Sequence, residues 1–378
     1  MLNFYSNAIQ NLKEKNLYRA LVSSDLVDFV TIKRGKKKLI SFCSNDYFGL
    51  SQNPQVKKSA INTINKYGVG SGASRYVTGN NSLYKKLETQ IAKLKNCDDA
   101  IVFSSGYASS IGVISALVGE GDLIVADRLI HSSLIDGAKL SGAKLMRFLH
   151  NDIVHTKNIL AENRHKFKKC LIITEGTFSM DGDLGEISEL LKLAKNFDAI
   201  LISDAAHDLF LEQNFSATNH LQLGTLSKAV GSLGGYVAGD KILIDYLRNF
   251  AKSAIYSTAL PASVLAASLT SLKIIEKKNL GAKALKNAQF FCQLMKLPKP
   301  QSAIVPLILG DNKKVLEVAK KVEQQGILIS AIRPPTVETG KARLRITFSS
   351  EHKKTQIKKL AQILLDLCFI IDPETSSG

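Results

Sequence analysis

The run Gly224-Thr225-Leu226-Ser227-Lys228-Ala229-Val230-Gly231 follows an apolar stretch and sets one lysine among hydroxyl-bearing and small residues. Upstream, the apolar run Ala199-Ile200-Leu201-Ile202 leads into Ser203-Asp204-Ala205-Ala206-His207, so a carboxylate and an imidazole follow a second such run. Short apolar runs with polar or glycine boundaries read as buried strands, and open α/β sheets bind ligands just beyond the carboxyl ends of their strands. Lys228, Asp204 and His207 are the set that pyridoxal phosphate chemistry requires. The amine forms a Schiff base with the cofactor aldehyde, the carboxylate keeps the pyridinium nitrogen protonated, and the ring then takes up the electron pair of a substrate carbanion. A lysine beside a hydroxyl is by itself usually a solvated surface residue, so the rest of the chain has to carry the reading.

Working outward, apolar runs alternate with amphipathic segments from about residue 53 onward, the pattern of an α/β domain with a mostly parallel central sheet flanked by helices. Buried strands are expected at Ala100 to Phe103, Leu123 to Ala126, Leu171 to Thr174, Ala199 to Ser203 and Tyr236 to Ala238. Asn53-Pro54 supplies a cap and a first-turn proline for a helix to about Lys66. A second helix starts near Ser82, with Leu83, Leu87, Ile91 and Leu94 along one face. Pro261 to Lys278 reads as a long linking helix. Strand-like Ala303 to Leu309, Ile327 to Ile332 and Arg343 to Phe348, with helical Lys313 to Gln325 and Glu351 to Cys368, give a small α/β C-terminal domain. The expected division is an N-terminal segment 1–44, a large domain 45–275 and a small domain 276–378, with Pro373 to Gly378 as a loose tail.

Composition narrows the class. The chain has 378 residues and 45% hydrophobic content, enough for one large core and a smaller attached domain. No apolar run approaches the roughly 18 residues of a membrane span, and Met1-Leu2-Asn3-Phe4-Tyr5-Ser6 lacks the basic-then-apolar order of a signal peptide, which points to the cytoplasm. Cys43, Cys97, Cys170, Cys292 and Cys368 are scattered and never spaced C-x-x-C, so neither a disulfide framework nor a metal site is expected. The formal charge of +17 comes from lysines spread along the chain without interleaved aromatics. That pattern argues against nucleic-acid binding and leaves two readings open: a surface for an acidic acyl donor, or composition alone.

Ser105-Gly106-Tyr107-Ala108 follows a strand and opens a helix, so its first-turn N–H groups and the helix dipole can receive a phosphate dianion. An ordinary glycine turn with a helix cap reads the same residues equally well. His131, four residues after Asp127, is open in the same way between a satisfied histidine at a strand exit and a functional imidazole.

Five further runs carry a resemblance. Ser44-Asn45-Asp46-Tyr47-Phe48-Gly49-Leu50, Gly68-Val69-Gly70-Ser71-Gly72-Ala73-Ser74-Arg75, Asp127-Arg128-Leu129-Ile130-His131-Ser132-Ser133-Leu134, Thr174-Glu175-Gly176-Thr177-Phe178-Ser179-Met180-Asp181-Gly182-Asp183 and Tyr256-Ser257-Thr258 resemble, in order, the motifs of the α-oxoamine synthases. These are class II, fold type I pyridoxal phosphate enzymes that condense an amino acid with an acyl thioester and lose carbon dioxide. The runs Ser302 to Asn312 and Ala331 to Val337 are similar to the branch serving biotin synthesis, whose substrates are L-alanine and pimeloyl-CoA or pimeloyl-acyl carrier protein. The resemblance spans roughly Asn16 to His352.

That resemblance implies roles. The amides of Gly106 and Tyr107 and the hydroxyl of Thr225 hold the cofactor phosphate, with Ser257 or Thr258 adding contacts across a homodimer interface. His131 stacks on the pyridine ring and assists acid and base steps. Ser179 and His207 bond the phenolic oxygen. Asn45 and Arg345 engage the amino-acid carboxylate, for which the guanidinium fork is suited, and Arg343 ranks behind Arg345. Arg19 meets the distal carboxylate of the pimeloyl chain, though an exposed amphipathic helix explains it equally well. The alternatives are a relative using glycine with an acetyl or succinyl thioester, and a cofactor-binding scaffold without synthase activity. One departure bears on the second: where the family reads Asp-Glu or Asp-Asp before Ala-His and then a Gly-rich stretch, this chain has Asp204-Ala205-Ala206-His207-Asp208-Leu209-Phe210-Leu211, and the interval to Lys228 is shorter.

Overall fold

Seven strands build the large sheet: β1 (Asp99–Phe103), β2 (Leu123–Asp127), β3 (Lys144–Phe148), β4 (Cys170–Glu175), β5 (Ile200–Asp204), β6 (His220–Thr225) and β7 (Gly235–Gly239). The structure, a computed structural model, describes residues 1–208 and 218–367. The strand order is β1-β7-β6-β5-β4-β2-β3. Pairs β3/β2, β2/β4, β4/β5 and β5/β6 are parallel, and β7 runs antiparallel to both β1 and β6. The mostly parallel sheet expected from the sequence is therefore present, with one reversed strand inside it.

The strand interiors are apolar because both faces are covered. Ile124 and Ala126 face a cluster with Val113, Ile114, Leu134 and Leu247. Their neighbours Leu123 and Val125 face another with Ile159, Leu160, Leu190 and Leu193. The period-2 alternation of a strand thus feeds two cores at once.

The cap signals operate as read. Asn53 accepts a hydrogen bond from the Gln55 N–H and starts the helix Pro54–Tyr67, and Asn81 accepts from Leu83 N–H at the head of Ser82–Leu94; losing such a cap costs about 1 kcal/mol. On the second helix Leu87, Ile91 and Leu94 are buried, as expected, and so are Tyr84 and Glu88. Glu88 is held by an ion pair with Arg75 at 2.7 Å and by the Val102 N–H at 2.9 Å, while Arg75 lies over the Tyr84 ring.

Two strands of the sheet were not anticipated. β3 is an edge strand whose Lys144 and Arg147 face outward, so it has no apolar run. β6 alternates His220 and Gln222 with leucines yet is buried throughout. Its polar side chains find partners inside: His220 Nε2 lies 2.8 Å from Ser203 Oγ, and Gln222 Nε2 donates to the Lys95 carbonyl.

The described chain divides into two compact units: one comprises the described residues of Leu50–Ser179 and Asp183–Leu280, and the other Met1–Gly49, Met180–Gly182 and the described residues of Gly281–Gly378. The second unit has a three-stranded antiparallel sheet, Ile304–Gly310, Ala342–Thr347 and Ser330–Ile332, with the Ala342–Thr347 strand central. It also has a four-stranded sheet whose last strand, Ile327–Leu328, pairs in parallel with Lys37–Ser41. The single strand expected over Ile327 to Ile332 is thus two strands in two sheets. The linking helix is Ala262–Lys277 and the last helix Lys354–Asp366; Cys368 and the expected tail lie outside the described residues.

Candidate functional site: a cavity at the carboxyl ends of the sheet

Within the large unit a cavity of about 240 Å³ opens at the ends of β4, β5 and β6, against the start of the helix Gly106–Leu117. Gly106, Tyr107, His131, Asp204, His207, Thr225 and Lys228 all line it. Residues far apart in sequence converge here because parallel strands deliver their carboxyl ends to one edge.

Ser105 caps the helix, its hydroxyl accepting from the Ala108 N–H at 3.1 Å. The N–H groups of Gly106 and Tyr107 therefore stand at the first turn with no intrahelical acceptor. The Tyr107 hydroxyl donates to Asp136 Oδ2 at 2.7 Å, which raises the phenol above its usual value. Thr225 is more committed than the sequence suggested: its hydroxyl donates to the Gly234 carbonyl at 2.9 Å and accepts the Ser227 N–H. Ser227, 2.7 Å away through its own hydroxyl, lines the cavity, a contribution the sequence reading missed.

Lys228 Nζ lies 2.8 Å from His207 Nε2. An ammonium has only donors, so Nε2 accepts and a neutral His207 carries its proton on Nδ1. Asp204 ends β5 and steadies the following turn by accepting the Ala206 N–H at 2.9 Å. Gly231 closes the lysine loop at φ +68°, with no room for a Cβ beside the Ser51 nitrogen, so only glycine suits it.

His131 caps the helix Ser132–Ser141 through its ring: Nδ1 accepts the Ser133 N–H at 3.2 Å and lies 2.8 Å from the Ser133 hydroxyl. That bond assigns the ring proton to Nε2. Burial is the main cause that lowers His131, with Asp204 opposing and Lys228 reinforcing it, so the imidazole is neutral.

Behind this set lies a second cluster. His150 bridges two carboxylates, Nδ1 to Asp127 Oδ2 at 3.1 Å and Nε2 to Asp183 Oδ2 at 2.7 Å, with its ring edge-on to Phe178. Burial pulls His150 down, but the two carboxylates outweigh it and lift the ring to about 10. Nothing in the local sequence signals this node, since its members come from three separate segments.

Other expected residues sit elsewhere. Ser257 is half-buried and Thr258 exposed, and neither lines the cavity of its own chain. Ser179 is half-buried at the unit's edge in sequence. Asn45, Arg345 and Arg19 belong to the other unit. There Arg345 donates through both terminal nitrogens to Asn45 Oδ1 at 3.2 and 3.3 Å. Arg343 is paired with Asp181. Arg19 lies beyond the helix Leu2–Glu14 and donates to Thr336 Oγ1 at 2.9 Å. The departure after His207 is partly visible: Asp208 accepts the Thr177 hydroxyl at 2.9 Å and crowds Gly176, where a Cβ would meet its carboxylate at 2.5 Å. Residues 209–217 lie outside the described residues. Cys43, Cys97, Cys170 and Cys292 are free thiols.

The lining fits pyridoxal phosphate by its donor chemistry. First-turn amides suit an anion, Asp204 suits a protonated ring nitrogen, and Lys228 beside a proton acceptor suits an aldehyde.

Comparisons with known proteins agree. Residues 37–364 match the family described as aminotransferase class I and II. The chain is 41% identical over 365 residues to an 8-amino-7-oxononanoate synthase of Methylobacterium sp. (strain 4-46), covering 96% of each. Among solved structures it is similar to the 8-amino-7-oxononanoate synthase of Francisella tularensis, with 30% identity, 87% of this chain and 98% of that one covered, and a TM-score of 0.72. A serine palmitoyltransferase solved with pyridoxal phosphate aligns at 25% identity over 96% of each chain, with a TM-score of 0.84.

Proposed function

Because the chain belongs to the class I and II aminotransferase family, we infer that it is a pyridoxal phosphate-dependent acyltransferase that condenses L-alanine with a pimeloyl thioester to give 8-amino-7-oxononanoate, carbon dioxide and the free thiol, a step of biotin biosynthesis. The observation that carries this reading is the 2.8 Å contact between Lys228 Nζ and His207 Nε2 inside a cavity that also holds Asp204 and an open helix N-terminus.

When bound, pyridoxal phosphate supplies an aldehyde that captures amines and a protonated ring that withdraws electrons. The protein's own groups do the rest. The Gly106 and Tyr107 amides would hold the anionic group, with the Thr225 hydroxyl beside them. Asp204 would hold a proton at the ring nitrogen. His207 Nε2, 2.8 Å away, would take a proton from a charged Lys228. The neutral Lys228 amine would be the base for the alanine α-proton. Neutral His131, with its proton on Nε2, covers the ring face. Arg345 and Asn45 receive the amino-acid carboxylate, and Arg19 the far carboxylate of the acyl chain. The acyl donor is the CoA or the carrier-protein thioester.

The working form is a homodimer in the cytoplasm, with Ser257 or Thr258 completing the neighbouring subunit's phosphate site. Support comes from Tyr256, 80% exposed beside them, and from their absence from their own cavity. Among the described residues no helix is long and apolar enough to cross a membrane.

The decisive experiment incubates holoprotein with alanine or glycine and a panel of acyl thioesters. Product with alanine and pimeloyl thioester is expected. Turnover only with glycine, or cofactor uptake with no turnover of any pair, overturns the reading. A sedimentation profile of a fully active monomer would remove the shared phosphate site.

A further inference from the structure

The cavity contains a second carboxyl group. Glu175 ends β4 and is the register partner of Asp204 at the end of β5, and facing positions of neighbouring strands project to the same side of a sheet. Glu175 is 3% exposed and lines the cavity. It takes hydrogen bonds from the backbone N–H groups of His131 and Ser179, yet its Oε1 has no partner among the described residues. Leaving a buried oxygen bare is costly, and each such atom calls for an explanation. A purely structural anchor accounts for the two backbone bonds, but not for the position beside Asp204 or the bare oxygen in the cavity wall.

We propose that Glu175 is a positioning residue for the reaction inferred above, on which this inference rests: it ties the segments carrying His131 and Ser179 to the strand end beside Asp204, so that the groups over the ring, at its phenolic oxygen and at its nitrogen keep one spacing. A buried carboxyl beside a second carboxylate is costly to ionise. Burial first, then the charge of Asp204, push Glu175 well above the usual carboxylate range, while Lys228 and the two backbone N–H groups pull it back. Of the other titratable side chains in the lining, His131 is itself held neutral and His207 stands against Lys228. Glu175 is therefore held as the neutral acid beside Asp204.

The test uses the whole protein and two variants. In the cofactor-free state, the infrared difference between wild type and Glu175→Gln at neutral pH should show the carbonyl stretch of one protonated carboxyl; its absence overturns the neutral role. With cofactor, Glu175→Gln preserves shape and neutrality and should bind pyridoxal phosphate within about threefold of wild type. Glu175→Leu should bind about tenfold more weakly or worse, and the pH midpoint of its bound-cofactor absorbance should move. A glutamine variant as weak as the leucine variant overturns the proposal, as does a leucine variant with normal affinity and midpoint. Wild type that takes up no pyridoxal phosphate defeats the functional reading itself, whereas normal uptake with an unaffected Glu175→Leu defeats only this one. Should Glu175→Leu fail to fold by circular dichroism, the infrared band and the glutamine variant still decide.

Discussion

Two histidine sites near the same edge of the large sheet behave oppositely. His131, in the cavity wall, has a hydroxyl and a backbone N–H at Nδ1, and burial leaves it neutral. His150, outside the cavity lining, has a carboxylate at each nitrogen and is lifted to about 10. His220 repeats the first case more strongly, bonded to Ser203 and pushed down to about 4 by burial, with Lys95 adding to it. Burial neutralises an imidazole unless carboxylates touch it directly. The consequence is a contrast: the cavity wall holds a neutral ring, while the His150 node is a fixed cation that joins the end of β2 to the segment carrying Asp183.

The largest effect that sharpens this contrast belongs to the cavity. Lys228→Ala should lower turnover by about a thousandfold or more while the urea midpoint stays near wild type, because a half-buried lysine bonded to one imidazole adds little stability. A stability loss matching that of a His150 variant would erase the distinction.

Next in size, His150→Ala should destabilise the fold by roughly 1–3 kcal/mol in urea unfolding, below the ~3–5 of a fully buried broken pair. The discount follows from the ring's partial exposure, 21%, and from the Leu129 and Asn151 N–H groups that still serve Asp127. A midpoint equal to wild type would show that the node is not an anchor.

The pH dependence follows from the sign of the shift. A group raised in the folded state stabilises fully below its unfolded value, near 6.5, and loses that contribution as pH climbs through about 10. The stability advantage of wild type over His150→Gln should therefore shrink steadily across that window. A constant difference from pH 6 to 10 would mean that His150 is not charged at neutral pH.

The smallest effect probes the neutral side. Ser133→Ala removes the hydroxyl beside His131 but keeps the backbone N–H that caps onto the ring, so a loss of about 1 kcal/mol is expected. Proton NMR should still find His131 neutral at pH 7. A charged ring in that variant would show that the hydroxyl, rather than burial, sets its protonation.

These contrasts separate what local pattern can and cannot report. Apolar runs located five strands of the large sheet because those strands are covered on both faces. β3 escaped because an edge strand carries Lys144 and Arg147, and β6 because its buried His220 and Gln222 each find a partner distant in sequence, Ser203 and the Lys95 carbonyl. Glu175 stood in plain view within a quoted motif, yet its weight comes from a neighbour on another strand.

The sequence by itself determined where Asp204 and His207 and the Ser105 helix start would fall, since each follows an apolar run that becomes a strand, β5 or β1. It also determined the helix start at Asn53, where a side chain bonds its own next turn. Only the tertiary structure decided which oxygen, nitrogen or proton each group presents. Whether His131 is neutral and His150 charged, whether Thr225 is spent on Gly234, and whether Glu175 shares a site with Asp204 depend on burial and on contacts between separate segments, and electrostatic free energy follows distance in space, not spacing along the chain.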